Sequence, residues 1–250
     1  MHTKKGQVAI FIIMAIVLVL VLIVAFFFTG AKDIGLKTGI VELNAINLAF
    51  EDCIISQATS ALSLIGISGG YIEPLNNFEE TEIGKVSYAL KNKQTILITK
   101  SDLEKEISNY VTSTIRFCIL SRNYPQLVIE QQDAQVTTSV KQNEVIVSAI
   151  IPIIVTKGDQ TVTANIKHEI ELSVRMGKII DMVNGIIIKQ KQARDSIPLT
   201  YLSGLDAETS FSYHTDSIIL YVLFDEGSIL DDVQYSFSFL AELQPEVKRT

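Results

Sequence analysis

Val8 to Phe28 is an unbroken apolar run of 21 residues with no glycine, proline or charge. As a helix rising about 1.5 Å per residue, such a run spans roughly 30 Å, the hydrocarbon thickness of a bilayer. The pattern predicts a transmembrane helix over 7–29, with residues 1–6 before it on the cytoplasmic side. Lys4 and Lys5 precede the run and Lys32 and Lys37 follow it, so the basic flanks nearly balance. The leading segment is short, however, and long domains translocate largely regardless of charge, which favours an external C-terminal domain. A cleavable secretory signal fits poorly. Its apolar core would be shorter, and Phe26, Phe27 and Phe28 occupy the place of the small residues it needs.

Gly30, Gly35 and Gly39 mark residues 30–39 as a neck. Beyond it Leu36, Ile40, Leu43, Phe50, Ile54, Ala61 and Ile65 recur at three- and four-residue steps, predicting an amphipathic helix over 37–66. Ser68-Gly69-Gly70 should stop it. "KVSYAL" and "TILIT" flank the polar "KNKQ" as a hairpin. Ser101-Asp102-Leu103-Glu104 has the form of a capping box, with Ser101 as N-cap of a helix running to about Leu120. The apolar face of that helix is Leu103, Ile107, Val111 and Cys118.

After Tyr124-Pro125 the period changes to two. "DAQVTTSVKQ", "EVIVSAIIPIIVT" and "QTVTANIKHEIELSV" predict a three-stranded antiparallel meander. In its third strand Val162, Ala164, Ile166, Ile170, Leu172 and Val174 belong to the buried side, and His168 shares that side. Pro152 in the middle strand implies a bulge or an edge there. Met176, Ile179, Ile180, Val183 and Ile187 predict a further helix over 174–192. From Ser196 three more alternating stretches predict a small β-rich region, with Tyr235, Phe237 and Phe239 on one face that is buried or, if exposed, an interaction surface. The expected fold is therefore α+β. An N-terminal transmembrane helix is followed by amphipathic helices packed on an antiparallel β-meander over 40–194, and then by a small C-terminal all-β appendage over 195–250.

Charge narrows the partners. With Lys4 and Lys5 set aside, 19 Lys+Arg face 28 Asp+Glu in the rest of the chain, a balance of −9. Nucleic acid and anionic lipid headgroups need clustered basic charge, so neither is expected. The expected contacts are the lipid bilayer through residues 8–28 and protein partners at a cell surface. The two cysteines, Cys53 and Cys118, both fall on apolar helix faces. An oxidising compartment favours a disulfide between them, whereas two buried free thiols are the alternative.

Several stretches together resemble a group of uncharacterised single-pass archaeal surface proteins. They are the Lys4-Lys5-Gly6-Gln7 start with its apolar run, Cys53, Gly69-Gly70-Tyr71-Ile72, and the capped helix ending near Cys118. Val174-Arg175-Met176-Gly177-Lys178-Ile179 and the closing "YVLFDEG…YSFSF" belong to the same set. The resemblance implies a membrane-anchored protein with an external α+β domain and carries no activity with it. The first four of those residues also resemble the class III signal of type IV pilins, which implies processing between Gly6 and Gln7. The chain departs from that pattern at Phe11, where pilins usually carry a glutamate that helps assembly.

Catalytic constellations are thin. Only His2, His168 and His214 occur, and there is no H-E-x-x-H, C-x-x-C, Walker A or G-x-S-x-G motif. Asp225-Glu226 and Asp231-Asp232 bracket a short segment that could offer oxygen ligands to Ca²⁺, without EF-hand spacing. The expectation is a protein without catalytic residues, cofactor or metal, with a structural or interaction role at the cell surface. Two alternatives stand beside it. One is a pilin-like subunit assembled through its N-terminal helix. The other is a tethered enzyme, which would need a convergent polar pocket, for example near His168.

Overall fold

The computed structural model describes residues 37–120, 124–193 and 195–243. The expected membrane span, the 1–6 segment and the Gly6–Gln7 processing site lie outside them. The chain divides into two compact units, Met1–Leu48 and Ala49–Thr250. The second contains both sheets.

Helix α1, Lys37–Ser68, enters this unit with Phe50, Ile54, Ala58, Ala61, Leu62 and Ile65 on its buried face. Glu42–Ser68 is the one segment among the described residues long and apolar enough to cross a membrane. Within the second unit those apolar side chains pack into a protein core. The helix ends where expected. Gly69 and Gly70 have φ of +76° and +104°, and the Gly70 amide donates to the Ile65 carbonyl at 2.8 Å. This is the six-to-one bond of a left-handed glycine cap.

Strands β1 (Phe78–Thr81) and β2 (Gly84–Lys91) form a hairpin, and β2 pairs again with the two-residue β3 (Gln94–Thr95). The charged "FEET" of β1 gives no strand pattern and was not foreseen. The turn before β3 is Asn92-Lys93, both at positive φ. "TILIT" contributes only its first residue to the ladder.

Helix α2, Lys100–Thr114, is capped two residues earlier than the expected Ser101. Its N-cap is Thr99, whose hydroxyl accepts from the Asp102 amide at 3.2 Å and donates to the Asp102 carboxylate at 2.7 Å. Glu104 does not reach back to a cap. Its Oε1 accepts the Val140 amide at 2.9 Å, tying the helix to a strand 36 residues on. Leu103, Ile107 and Val111 are buried as the periodicity required. The helix breaks after Thr114, and α3 (Phe117–Leu120) follows, carrying Cys118.

The four-stranded sheet consists of β4 (Val128–Gln131), β5 (Gln135–Val140), β6 (Val145–Lys157) and β7 (Gln160–Leu172), all antiparallel. The meander is as expected, with β4 added. Pro152 marks neither a bulge nor an edge. It pairs with Asn165 in an unbroken β6–β7 register. On the other side of β6, β5 covers Val145–Ile150 and β4 covers Ile153–Thr156, so the proline sits in the gap between them. Its carbonyl accepts from Gln132 at 2.9 Å and no strand there asks for the amide it lacks. Alternation in β7 fails at its first turns, where Val162 is 54% exposed, and holds from Ile166 onward.

Helix α4, Met176–Ala193, buries Met176, Ile179, Met182, Val183, Ile186 and Ile187. After the single turn α5 (Leu199–Leu202) come β8 (Glu208–Thr215), β9 (Ile218–Leu230) and β10 (Val233–Glu242). These strands are not an appendage. β10 pairs in parallel with β2, Leu240 opposite Tyr88 and Ala241 opposite Leu90, giving one sheet in the order β1-β2-β10-β9-β8. The aromatic face is buried, with Tyr235 at 4% and Phe237 and Phe239 fully inside. Tyr235 donates to the Leu62 carbonyl of α1 at 2.8 Å, and Phe239 stacks on Tyr221 with centroids 5.1 Å apart. The reason for the merger is that an isolated three-stranded patch would leave Tyr88, Val86 and Leu240 uncovered. Together they form one cluster with Ile96, Ile218 and Leu220.

Candidate functional site

Cys53 of α1 and Cys118 of α3 are bonded, with Cα atoms 5.7 Å apart across 65 residues of sequence. The bridge joins α1 to the short α3 that follows the break in the expected second helix, and Cys118 is buried.

His168 lies on the inner side of β7, with a side chain 9% exposed and Nδ1 3.9 Å from a Glu51 carboxylate oxygen. It faces α1. His214 lies near the exposed end of β8.

A connected polar cluster that was not foreseen as a site lies elsewhere in the unit. It joins "RMGK" at the start of α4 to "DEGS" in β9. Asp225, paired with Tyr235, is followed by a bulge: Gln234 pairs with Ile229, which leaves Glu226 and Gly227 exposed and Ser228 buried. Asp225 continues the inward alternation of Ile219, Tyr221 and Leu223 and is completely buried. Arg175 donates Nε to Asp225 at 3.0 Å and Nη2 to the other Asp225 oxygen, a two-pronged pair. Ser228 donates to the same carboxylate and accepts the Arg175 amide at 2.8 Å. Arg175 Nη1 reaches Asp206 at 3.1 Å, and Lys178 donates to Asp206 as well.

Gly227 lets the guanidinium close over the bulge. A Cβ there would fall 2.3 Å from Arg175 Cζ. The Asp225 carboxylate holds the arginine above its ordinary range, against the opposing effect of burial. Hydrogen bonds from Lys178 and then Arg175 hold Asp206 below the usual carboxylate range. The acidic segment read as a possible calcium loop is thus divided. Asp225 belongs to Arg175, and Asp231 and Asp232 form the tight turn into β10, both at positive φ. No group of three or more metal-ligating side chains occurs among the described residues.

An open cavity of about 590 Å³ borders this cluster, lined by Arg175, Asp206, Glu208, Glu226 and Gly227. Four of the guanidinium's hydrogen bonds already go to Asp225 and Asp206, so it offers little to an incoming anion. The arrangement clasps a helix to a bulged strand. A smaller cavity of about 280 Å³ lies among Tyr71, Asn76, Tyr88 and Glu106. The deepest polar pair elsewhere is Tyr221, which donates to Gln190 at 2.5 Å, while Gln190 donates to the Ser196 carbonyl at 2.9 Å. Burial pushes the Tyr221 phenol up.

The signal that could have found the clasp is an arginine and an aspartate inside otherwise apolar stretches, each of which needs a partner when buried. No family model, curated protein or solved structure matches this chain.

Proposed function

We propose that this chain is a single-pass membrane-anchored protein that holds its α+β unit on the outer side of the membrane. Its role there is structural or in interaction and it performs no turnover. The observation that carries this reading is the Cys53–Cys118 bond. Disulfides persist in oxidising compartments and are rare where thiols are kept reduced. The apolar run Val8–Phe28 and the balance of −9 after it support an anchor with a soluble, acidic external part. The resemblance to archaeal single-pass surface proteins points the same way.

The test is intact mass spectrometry of membrane-extracted protein, alkylated on lysis and measured before and after reduction. The expected result is an unalkylated protein that gains two protons on reduction. Alkylation of Cys53 and Cys118 at lysis would overturn the external placement.

A second reading, a pilin-like subunit processed after Gly6, is favoured by Lys4-Lys5-Gly6-Gln7 standing directly before the apolar run. The same spectrum separates the two. Loss of the first six residues supports processing, and an intact start supports the plain anchor.

A further inference from the structure

Strand β8 ends the larger sheet, and its sequence does not defend that edge. The other end, β1, has only four residues, two of them glutamates. The long edge of the smaller sheet, β7, carries Lys167, Glu169 and Glu171 on its outer face. Short strands and charges are the usual devices that stop edges pairing with another chain. From Thr209 to Thr215, β8 has no acidic or lysine side chain, no proline and no glycine. Seven of its eight residues are exposed.

Its inward side continues an apolar face beyond its cover. Thr209, Phe211 and Tyr213 pair with Leu223, Tyr221 and Ile219, all three completely buried, yet Phe211 is 37% and Tyr213 58% exposed. Beside the Thr209 half runs a groove of about 450 Å³, lined by Leu199, Leu202, Leu205, Thr209 and Phe211. The Thr209 hydroxyl is buried there without a hydrogen-bond partner.

We infer that β8 is a self-association edge, and that its occupant is β8 of a second copy of this chain. Charge complementarity selects that occupant. The strand carries Glu208 at one end and His214 near the other, with only uncharged residues between. Antiparallel pairing centred on Phe211 sets Glu208 opposite the partner's His214, where the imidazole can donate to the carboxylate, and does so twice by symmetry. The same register keeps the inward residues of both copies on one face. Phe211 then meets its own counterpart. The partner's Tyr213 falls opposite Thr209, over the groove and next to the unpartnered hydroxyl. Outward amides and carbonyls of β8 gain ladder partners at the same time. A parallel arrangement would set Glu208 beside Glu208. His214 is the extra residue of a bulge between Tyr213 and Thr215, and the strand ends at Thr215, so the interface is short, in the small, transient class below about 1,200 Å².

The test is cysteine cross-linking of the full chain in membranes. Paired residues across such a two-fold have Cα atoms about 4.5–5.5 Å apart, within disulfide reach of about 4.4–6.8 Å. Phe211→Cys should oxidise to a covalent dimer. Ser210→Cys, two residues out of register with its own copy, should give several-fold less. Adding Ser212→Lys, an exposed outward position, to the Phe211→Cys chain should lower the dimer yield at least tenfold. The proposal is overturned if Phe211→Cys stays monomeric with its Cys53–Cys118 bond intact, cross-links only to other proteins, or cross-links no better than Ser210→Cys. If Phe211→Cys fails to fold, sedimentation of the otherwise unaltered chain in detergent decides. A dimer lost on Ser212→Lys supports the edge, and a monomer or an unaffected dimer overturns it.

Discussion

The smaller sheet takes its strands from one continuous stretch, Val128–Leu172, while the larger joins Phe78–Thr95 to Glu208–Glu242. In the smaller sheet β5, β6 and β7 follow one another across short turns, and only β4 skips a strand to reach β6. In the larger, β2 meets β10 about 150 residues later, in parallel, a pairing that no hairpin can enforce. Closing that distance costs chain entropy before any contact forms. The larger sheet accordingly holds the buried charge pair of the unit, Arg175 with Asp225, and an aromatic stack, Tyr221 on Phe239. The smaller sheet relies on aliphatic burial and on α2, through Glu104 to Val140 and Ser108 to Thr138 at 2.9 Å. Fastenings placed outside the local pattern appear where the local pattern cannot specify the assembly.

The sharpest way to break this contrast is Asp225→Ala. Arg175, 18% exposed, would lose both prongs of its buried partner, and removing one member of such a pair costs about 3–5 kcal/mol. Urea unfolding of the detergent-solubilised chain should show this loss. Glu169→Ala, on the exposed face of the smaller sheet beside Ser148, should stay within about 0.5 kcal/mol. Equal effects would mean that the clasp does not hold the larger sheet.

Replacing Cys53 and Cys118 together by alanine should cost on the order of 3 kcal/mol, in a manner that depends on the loop-closure account. The loss should be uneven. Hydrogen exchange should rise first in α2 and α3, which the bridge ties to α1, and least in β9 and β10.

The smallest effect concerns Asp206. Its carboxyl is held below the usual range by Lys178 and Arg175. A depressed folded-state value adds stability that is present above the unfolded value of about 3.9 and is lost as pH falls through the lower folded one. Because Asp206 is exposed, solvent screens the gain. A carboxyl NMR titration should place its midpoint below the ordinary aspartate range, and Lys178→Met should move it up. An unchanged midpoint would remove Lys178 from the clasp.

Much of the fold was legible in residue order. The α1 stripe, its glycine stop, the α2 face and the meander follow from periods of 3.6 and 2, because burial on one side imposes them. So does the placing of Cys53 and Cys118 on inward faces. The capping residue was misassigned because Thr99-x-x-Asp102 and Ser101-x-x-Glu104 have the same form. Glu104 was drawn to Val140, a partner remote in sequence. The clasp was invisible for the same reason: Asp225 continues the inward alternation of Ile219, Tyr221 and Leu223, but its partner Arg175 lies 50 residues earlier.

By itself the sequence determined which segments are helix or strand and which side of each is apolar, since those depend on neighbours within a turn or two. It also carried the apolar run at the start and the acidic balance after it. Only the tertiary structure decided that the C-terminal strands complete a sheet begun at Phe78, and that Cys53 bonds Cys118. It also decided that Arg175 closes over Gly227 and that β8 ends the larger sheet among the described strands. Those outcomes turn on which distant surfaces cover each other, and a local pattern of apolar and polar positions states only that a surface needs covering.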